Sequence, residues 1–307
     1  MLKPLILFST FALTGILAGM AHEGHGKDCH RCSRCDSELS LSDYVLDWED
    51  DFNGSALDRE VWNVEVNGTG CGNNELQYYV DSPENVSVAG GNLILTARRV
   101  DYNGTHSFTS GRVNTRGKKT FTYGLIEARI KLPKTADGLW PAFWMMGDDI
   151  VENGWPLCGE IDILEMGHAN GIAAGVQERL FNGAIHYGRD TQAHRQQVGD
   201  RTNAYSLQDG EYHNFYLSWT PERLDMYVDT LSDPYLSVDI SERNNMESAG
   251  AYFHKPGFIL FNLAVGGNFP EIHTPEGVTA LGPDGKASML VDYVRVYRRA
   301  VQSLAAE

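Results

Sequence analysis

An all-β fold, an antiparallel sandwich or barrel, is what this sequence predicts, and three observations predict it. From about Tyr44 onward the chain falls into short alternating runs broken by Gly, Asn, Asp and Pro. No stretch carries amphipathic helical spacing, heptads or an internal repeat. Runs so short and so closely spaced leave no room for crossover helices, so neighbouring strands must reverse direction. With 307 residues, 42% of them hydrophobic, the chain can build one large domain around its own core.

The first segment reads as an export signal. Lys3 supplies a positive start, "PLILFSTFALTGILAG" is apolar, and Ala18, Gly19 and Ala21 offer a cleavage site. Residues 1–21 are therefore expected to be a signal peptide, and the protein to be secreted, extracellular or periplasmic. An uncleaved anchor is the competing reading, because the run approaches spanning length. Thr10, Thr14 and Gly15 dilute it, no basic stop follows, and no later segment is apolar enough to cross a bilayer.

Residues 22–42 form a polar leader. In "HEGHGKDCHRCSRC", Cys29, Cys32 and Cys35 are interleaved with His22, His25 and His30. The spacing looks like a soft-metal site, yet the segment has no apolar residues to fold around one, so a flexible leader is the plainer reading. Cys71 and Cys158 leave two readings open, a bridge or two separate thiols, since export permits disulfides.

The domain expected over residues 43–299 contains runs such as "NVSVAGGNLILTARR", "YGLIEARIKLP", "HNFYLSWTPERLDMYVD" and "MLVDYVRVYRR", with turn dipeptides between them. The last residues, 300–307, read as a frayed tail. Asn-x-Ser/Thr triplets at Asn53, Asn67, Asn85 and Asn103 would be glycan acceptors in a eukaryotic secretory route. Acidic side chains outnumber basic ones 41 to 25, a formal charge of −16. That excludes nucleic acid and, once the signal is cleaved, an anionic membrane as partners, because both need clustered Lys and Arg. A sulfated polysaccharide is disfavoured on the same ground, and a monomer is expected.

The chemistry lies in "CGEIDILEM", where Glu160, Asp162 and Glu165 fall within six residues. On a strand, Glu160 and Asp162 share one face, with Ile161 and Ile163 on the other. Continued alternation would bury Glu165 unpaired, at a high cost. One extra residue accommodated as a β-bulge returns Glu165 to the face of Glu160. Two carboxyls of this kind can perform glycoside hydrolysis, and retaining chemistry needs them about 5–5.5 Å apart. Four strand steps span about 13 Å, so the side chains must lean inward on a concave, bulged strand. Asp162, between them, would share a proton with the nucleophile. A metal site is the second reading of three acids, and a solvated acidic face is the plainest.

Context favours the first. Trp140 and Trp144 in "GLWPAFWMMG" and Trp155 in "NGWP" offer faces on which sugar rings stack, whereas Trp48, Trp62 and Trp219 read as core. Asn74, Arg112, His186 and Asn262 sit in polar motifs able to hold sugar hydroxyls.

"WPLCGEIDILEMGH" resembles the active-site strand of glycoside hydrolase family 16. "GCGNNELQYY", "SGRVNTRGKKTFTYGLIEARIKLP", "GLWPAFWMMG", "FILFNLAVGGNFP" and "VDYVRVY" are similar to its laminarinase branch, in that branch's order, over nearly all of the domain. The resemblance implies a β-jelly-roll, concanavalin-like sandwich of two antiparallel sheets with a concave cleft. It implies endo-cleavage of β-1,3-glucan, with tolerance of mixed β-1,3/1,4-glucan, Glu160 as nucleophile, Glu165 as acid/base and Asp162 as helper. Catalysis would need no cofactor. A structural calcium on the convex side would fall at Asp51, Gly91 and Asp292. Two departures from the pattern stand out: His186-Tyr187 replaces His-Trp, giving a smaller aromatic platform, and Glu271 replaces a Gly, making the rim more acidic. The rival expectations are an agar- or carrageenan-type galactan hydrolase, which shares the bulged motif, and a non-catalytic β-glucan-binding protein, which would lack the three acids.

Overall fold

A computed structural model describes residues 39–282 and 284–300. The signal peptide, the leader through residue 38 with Cys29, Cys32 and Cys35, and the tail from residue 301 lie outside the described residues.

The chain begins with β1 (Tyr44–Asp50), β2 (Asn63–Val64), β3 (Gln77–Tyr79), β4 (Val86–Val88), β5 (Leu93–Tyr102), β6 (His106–Ser110) and β7 (Arg112–Asn114). It continues through β8 (Gly124–Lys131), β9 (Leu139–Gly147), β10 (Glu160–Met166), β11 (Leu180–Tyr187) and β12 (Arg195–Thr202). It ends with β13 (His213–Trp219), β14 (Arg223–Val228), β15 (Leu236–Asp239), β16 (Gly257–Val265) and β17 (Lys286–Arg299). The α-helices among the described residues are short, α1 at Ile150–Asn153 and α2 at Ala169–Ala174.

These strands make a jelly-roll sandwich. One sheet has seven strands in the order β12-β11-β10-β9-β16-β7-β2. The other has ten, along the path β15-β14-β13-β8-β17-β5-β6-β3, with β1 on β17 and β4 on β5. All named strand pairs are antiparallel except β3 with β6.

Alternation explains the layers. In β9 the odd positions Leu139, Phe143 and Met145 enter the core between the sheets, and β16 sends Ile259, Phe261, Leu263 and Val265 the same way. The other face of β9, carrying Trp140, Ala142, Trp144 and Met146, is also covered, so the strand is buried throughout. That second face is the floor of a cleft, where Ala142, Trp144, Met146, Phe258 and Leu260 form a smaller apolar cluster.

The open cysteine question resolves to two separate thiols: Cys71 is half-buried, Cys158 is buried, and both are free. Among the glycan triplets, Asn85 is unavailable. It is buried, and its amide donates to the Thr96 carbonyl and the Thr109 hydroxyl at 2.8 and 3.1 Å.

Candidate active site

The bulge is present. Against β11, Asp162 pairs with Ala184 and Glu165 with Asn182, so Ile163 and Leu164 together oppose Gly183. Against β9 the register slips between Asp162 and Leu164. Consecutive Ile163 and Leu164 both enter the main core, which is what brings Glu165 back to the face of Glu160.

All three acids line one cleft of about 800 Å³. Asp162 is buried, at 4% exposed, while Glu160 and Glu165 are partly open to the cleft. The indole N–H of Trp155 donates to Glu160, and that of Trp140 donates to Glu165 at 3.0 Å. His186 Nε2 lies 3.3 Å from Asp162 Oδ2, too poorly aligned to count as a hydrogen bond. Its Nδ1 meets His194 Nε2 at 2.9 Å.

Every acid titrates upward. Burial pushes Glu160 up to about 8, helped by the charge of Asp162 and opposed by His186 and the Trp155 N–H. Burial likewise raises Asp162. Glu165 stands well above the glutamate range, through burial first and then the charge of Asp162. Three carboxyls facing one cleft oppose one another's ionisation, so protons are retained there to higher pH.

Trp140, Trp144 and Trp155 all line the cleft. Trp140 is buried, with one face stacked on Phe269 at 4.6 Å. Trp144 is also buried: its N–H donates to Asn262 Oδ1 at 2.7 Å, and the Arg112 guanidinium covers its ring at 4.9 Å. Trp155, 39% exposed, offers an open face, and it packs on His194 at 4.7 Å.

Among the polar residues, Arg112 lines the cleft, tied to Glu65 at 2.9 Å. Asn262 is occupied on both sides, since its amide nitrogen also donates to Tyr79 at 3.3 Å. Asn74 is not a lining residue; it stands at the rim and donates to Asn268 at 2.9 Å. Tyr187 is no platform, because on β11 it alternates with His186 and points into the core against Tyr252. Glu271 is exposed with φ +56°, a conformation that favours glycine, and it lies off the cleft lining.

Comparison with known proteins gives this geometry a lineage. Residues 73–275 match the model of glycosyl hydrolases family 16. The chain is a family 16 glycosidase. It is 34% identical over 287 residues to the glucan endo-1,3-beta-glucosidase A1 of Niallia circulans, covering 85% of this chain and 39% of that protein. It is 37% identical over 236 residues to the glucan endo-1,3-beta-glucosidase of Cryptopygus antarcticus, covering 74% and 82%. Among solved structures, a Bacteroides ovatus family 16 protein of a mixed-linkage glucan locus, in complex with a G4G4G3G product, is 45% identical. The TM-score is 0.72, over 81% of this chain and 99% of that one.

The glycosidase has site residues that the sequence did not single out. Gln196, Val198 and Asp200 of β12, with His194 just before it, form a wall, and the strand is too polar to show a period-two apolar signal. Asn182 faces Glu165 across the ladder with its side-chain oxygen unpaired. Phe269 lies within "FILFNLAVGGNFP", but nothing in its spacing marked it as the partner of Trp140.

Of the expected calcium positions, the two carboxylates are engaged by donors of this chain. Asp51 accepts from the backbone and side-chain N–H groups of Asn53, Gly91 adjoins Asn53, and Asp292 is bound to Arg129. Among the described residues no three His, Cys, Asp or Glu side chains converge on one point; calcium also takes backbone carbonyls, which is all that Gly91 can offer.

Proposed function

We propose that this protein is a secreted, retaining endo-β-1,3-glucanase that also accepts mixed β-1,3/1,4-glucan. One observation carries the reading: the bulge presents Glu160 and Glu165 to the same cleft, each under an indole N–H, with Asp162 between them. The Niallia and Cryptopygus relatives, both glucan endo-1,3-beta-glucosidases by name, support the β-1,3 linkage. The Bacteroides protein, from a mixed-linkage glucan locus, supports the mixed one. Export is supported by Lys3 and the apolar run after it.

In the first half-reaction Glu160 attacks the anomeric carbon, and the departing glycosidic oxygen takes the proton of Glu165. Asp162 makes the attack feasible. One proton shared between Glu160 and Asp162 lets Glu160 be anionic while Asp162 holds the proton, so the cleft never carries two adjacent charges. In the second half-reaction the Glu165 carboxylate removes a proton from water, which attacks the same carbon and frees Glu160. Carboxyls and water complete the cycle.

The test is digestion of laminarin, curdlan and lichenan beside agar and carrageenan, with products identified and the first anomer read by NMR. Oligosaccharides from the glucans, with the β-anomer appearing first, are expected. Release only from the galactans, binding without turnover, or a first α-anomer would each overturn the corresponding part of the reading.

A further inference from the structure

The bulge that turns Glu165 into the cleft is held from the opposite sheet. A bulge leaves its extra residue outside the regular ladder, and here the Tyr235 hydroxyl donates to the carbonyl of Ile163. Tyr235 immediately precedes β15, the edge strand of the ten-stranded sheet, and its backbone N–H donates to Met226 O at 2.9 Å. The ring is buried, edge-on to Phe181 of β11, with centroids 4.9 Å apart.

Two glycines make the passage. Gly183, the residue opposite the bulge, pairs in register with Gly199 of β12. A Cβ on Gly183 would stand 2.7 Å from the Tyr235 ring and 2.8 Å from the Asp162 carbonyl oxygen. On Gly199 it would stand 2.3 Å from the Tyr235 carbonyl oxygen and 2.7 Å from Leu236 Cβ. Neither glycine has a left-handed φ, so space alone requires glycine here. Arg201 of β12 donates to the carbonyls of Asp233 and Pro234, both at 3.2 Å, and so anchors the residues that deliver Tyr235.

We propose that Tyr235 is a positioning residue for the catalytic strand: reaching through the trench of Gly183 and Gly199, its hydroxyl fixes the register of the bulge and so the aim of Glu165. The proposal rests on the reading of Glu165 as acid/base. Without the hydroxyl, the extra residue can migrate along β10 or be absorbed, and a slip of one residue turns a side chain to the other face.

The experiment compares wild type, Tyr235→Phe and Glu165→Gln on laminarin and on a dinitrophenyl β-glycoside of a short glucan, whose leaving group departs without a proton. For Tyr235→Phe, kcat on laminarin falls about 10- to 100-fold with KM within about twofold, and the basic limb of the pH profile moves. The burst of dinitrophenolate keeps its rate, because that step does not use Glu165. Wild-type kcat and pH profile on laminarin, or equal losses on both substrates, would overturn the positioning role. Glu165→Gln separates the two ideas: full laminarin activity in that variant sinks the acid/base reading itself. Should Tyr235→Phe not fold, Arg201→Lys, which loosens the anchor of Asp233 and Pro234 and leaves the Tyr235 hydroxyl and the catalytic strand intact, carries the same comparison.

Discussion

Glu127 and the cleft acids are carboxyl groups on opposite faces of one sandwich, and they live differently. Glu127, on β8 of the ten-stranded sheet, is 3% exposed. One of its oxygens accepts from Tyr293 at 2.9 Å and the other from Tyr297 at 2.8 Å. In the cleft, Glu160 and Glu165 each have a single indole donor, and one oxygen of Asp162 has none. The acids in the cleft also face one another. A carboxylate with a donor on each oxygen is a structural fitting, whereas carboxylates short of donors and close together hold protons they can give away.

The comparison breaks most visibly in activity. Glu160→Gln should lower kcat on laminarin by about 10⁴-fold or more, while Glu127→Gln leaves it within about twofold; reducing-end assays on both variants decide. Next comes Asp162→Asn, with a loss of about 10- to 100-fold and a displaced pH profile. The charge of Asp162 contributes to the upward shift of both Glu160 and Glu165. Removing it lowers both, so the acid and basic limbs of kcat/KM should move to lower pH together. A profile that stays in place, or moves upward, contradicts the shared-proton picture.

The third contrast is in stability, where the same substitution should act with opposite sign. Glu160 is raised in the folded state, so its contribution is fully present below the ordinary glutamate range and is lost as pH rises through about 8. Glu160→Gln removes that loss and should raise Tm at pH 8–9 by about 3–6 °C, with the gain vanishing at about pH 4. Glu127→Gln gives up a charge-assisted site and should lower Tm by about 2–6 °C. Calorimetry across pH measures both. The smallest effect is at the rim: Glu271→Gly relieves a left-handed residue and should change Tm by about 2 °C or less, leaving the product pattern intact.

Much of this was legible in the sequence, and the reasons differ by residue. Alternation in "GLWPAFWMMG" and the two-then-three spacing of the acids both come from the strand repeat, so the strands, the bulge and the shared face of Glu160, Asp162 and Glu165 could be read directly. The same alternation already placed Tyr187 opposite His186, and reading it as a platform overlooked that rule. Partner identity was not legible: that Trp140 spends a face on Phe269 and its N–H on Glu165 joins residues from three separate stretches. The polar β12 wall carried no apolar rhythm to announce a strand at all.

What the sequence determined by itself is therefore everything with a local period: an all-β chain, one kinked strand, and three acids turned the same way. The tertiary structure alone decided what meets those acids. Which indole donates to which carboxyl and which oxygen goes without a donor depend on pairings within one sheet, and how Tyr235 comes to rest under the bulge depends on the packing of the other sheet against it. Hydrogen bonds and desolvation act on neighbours in space, and a linear order of residues does not encode those neighbours until the sheets have closed on each other.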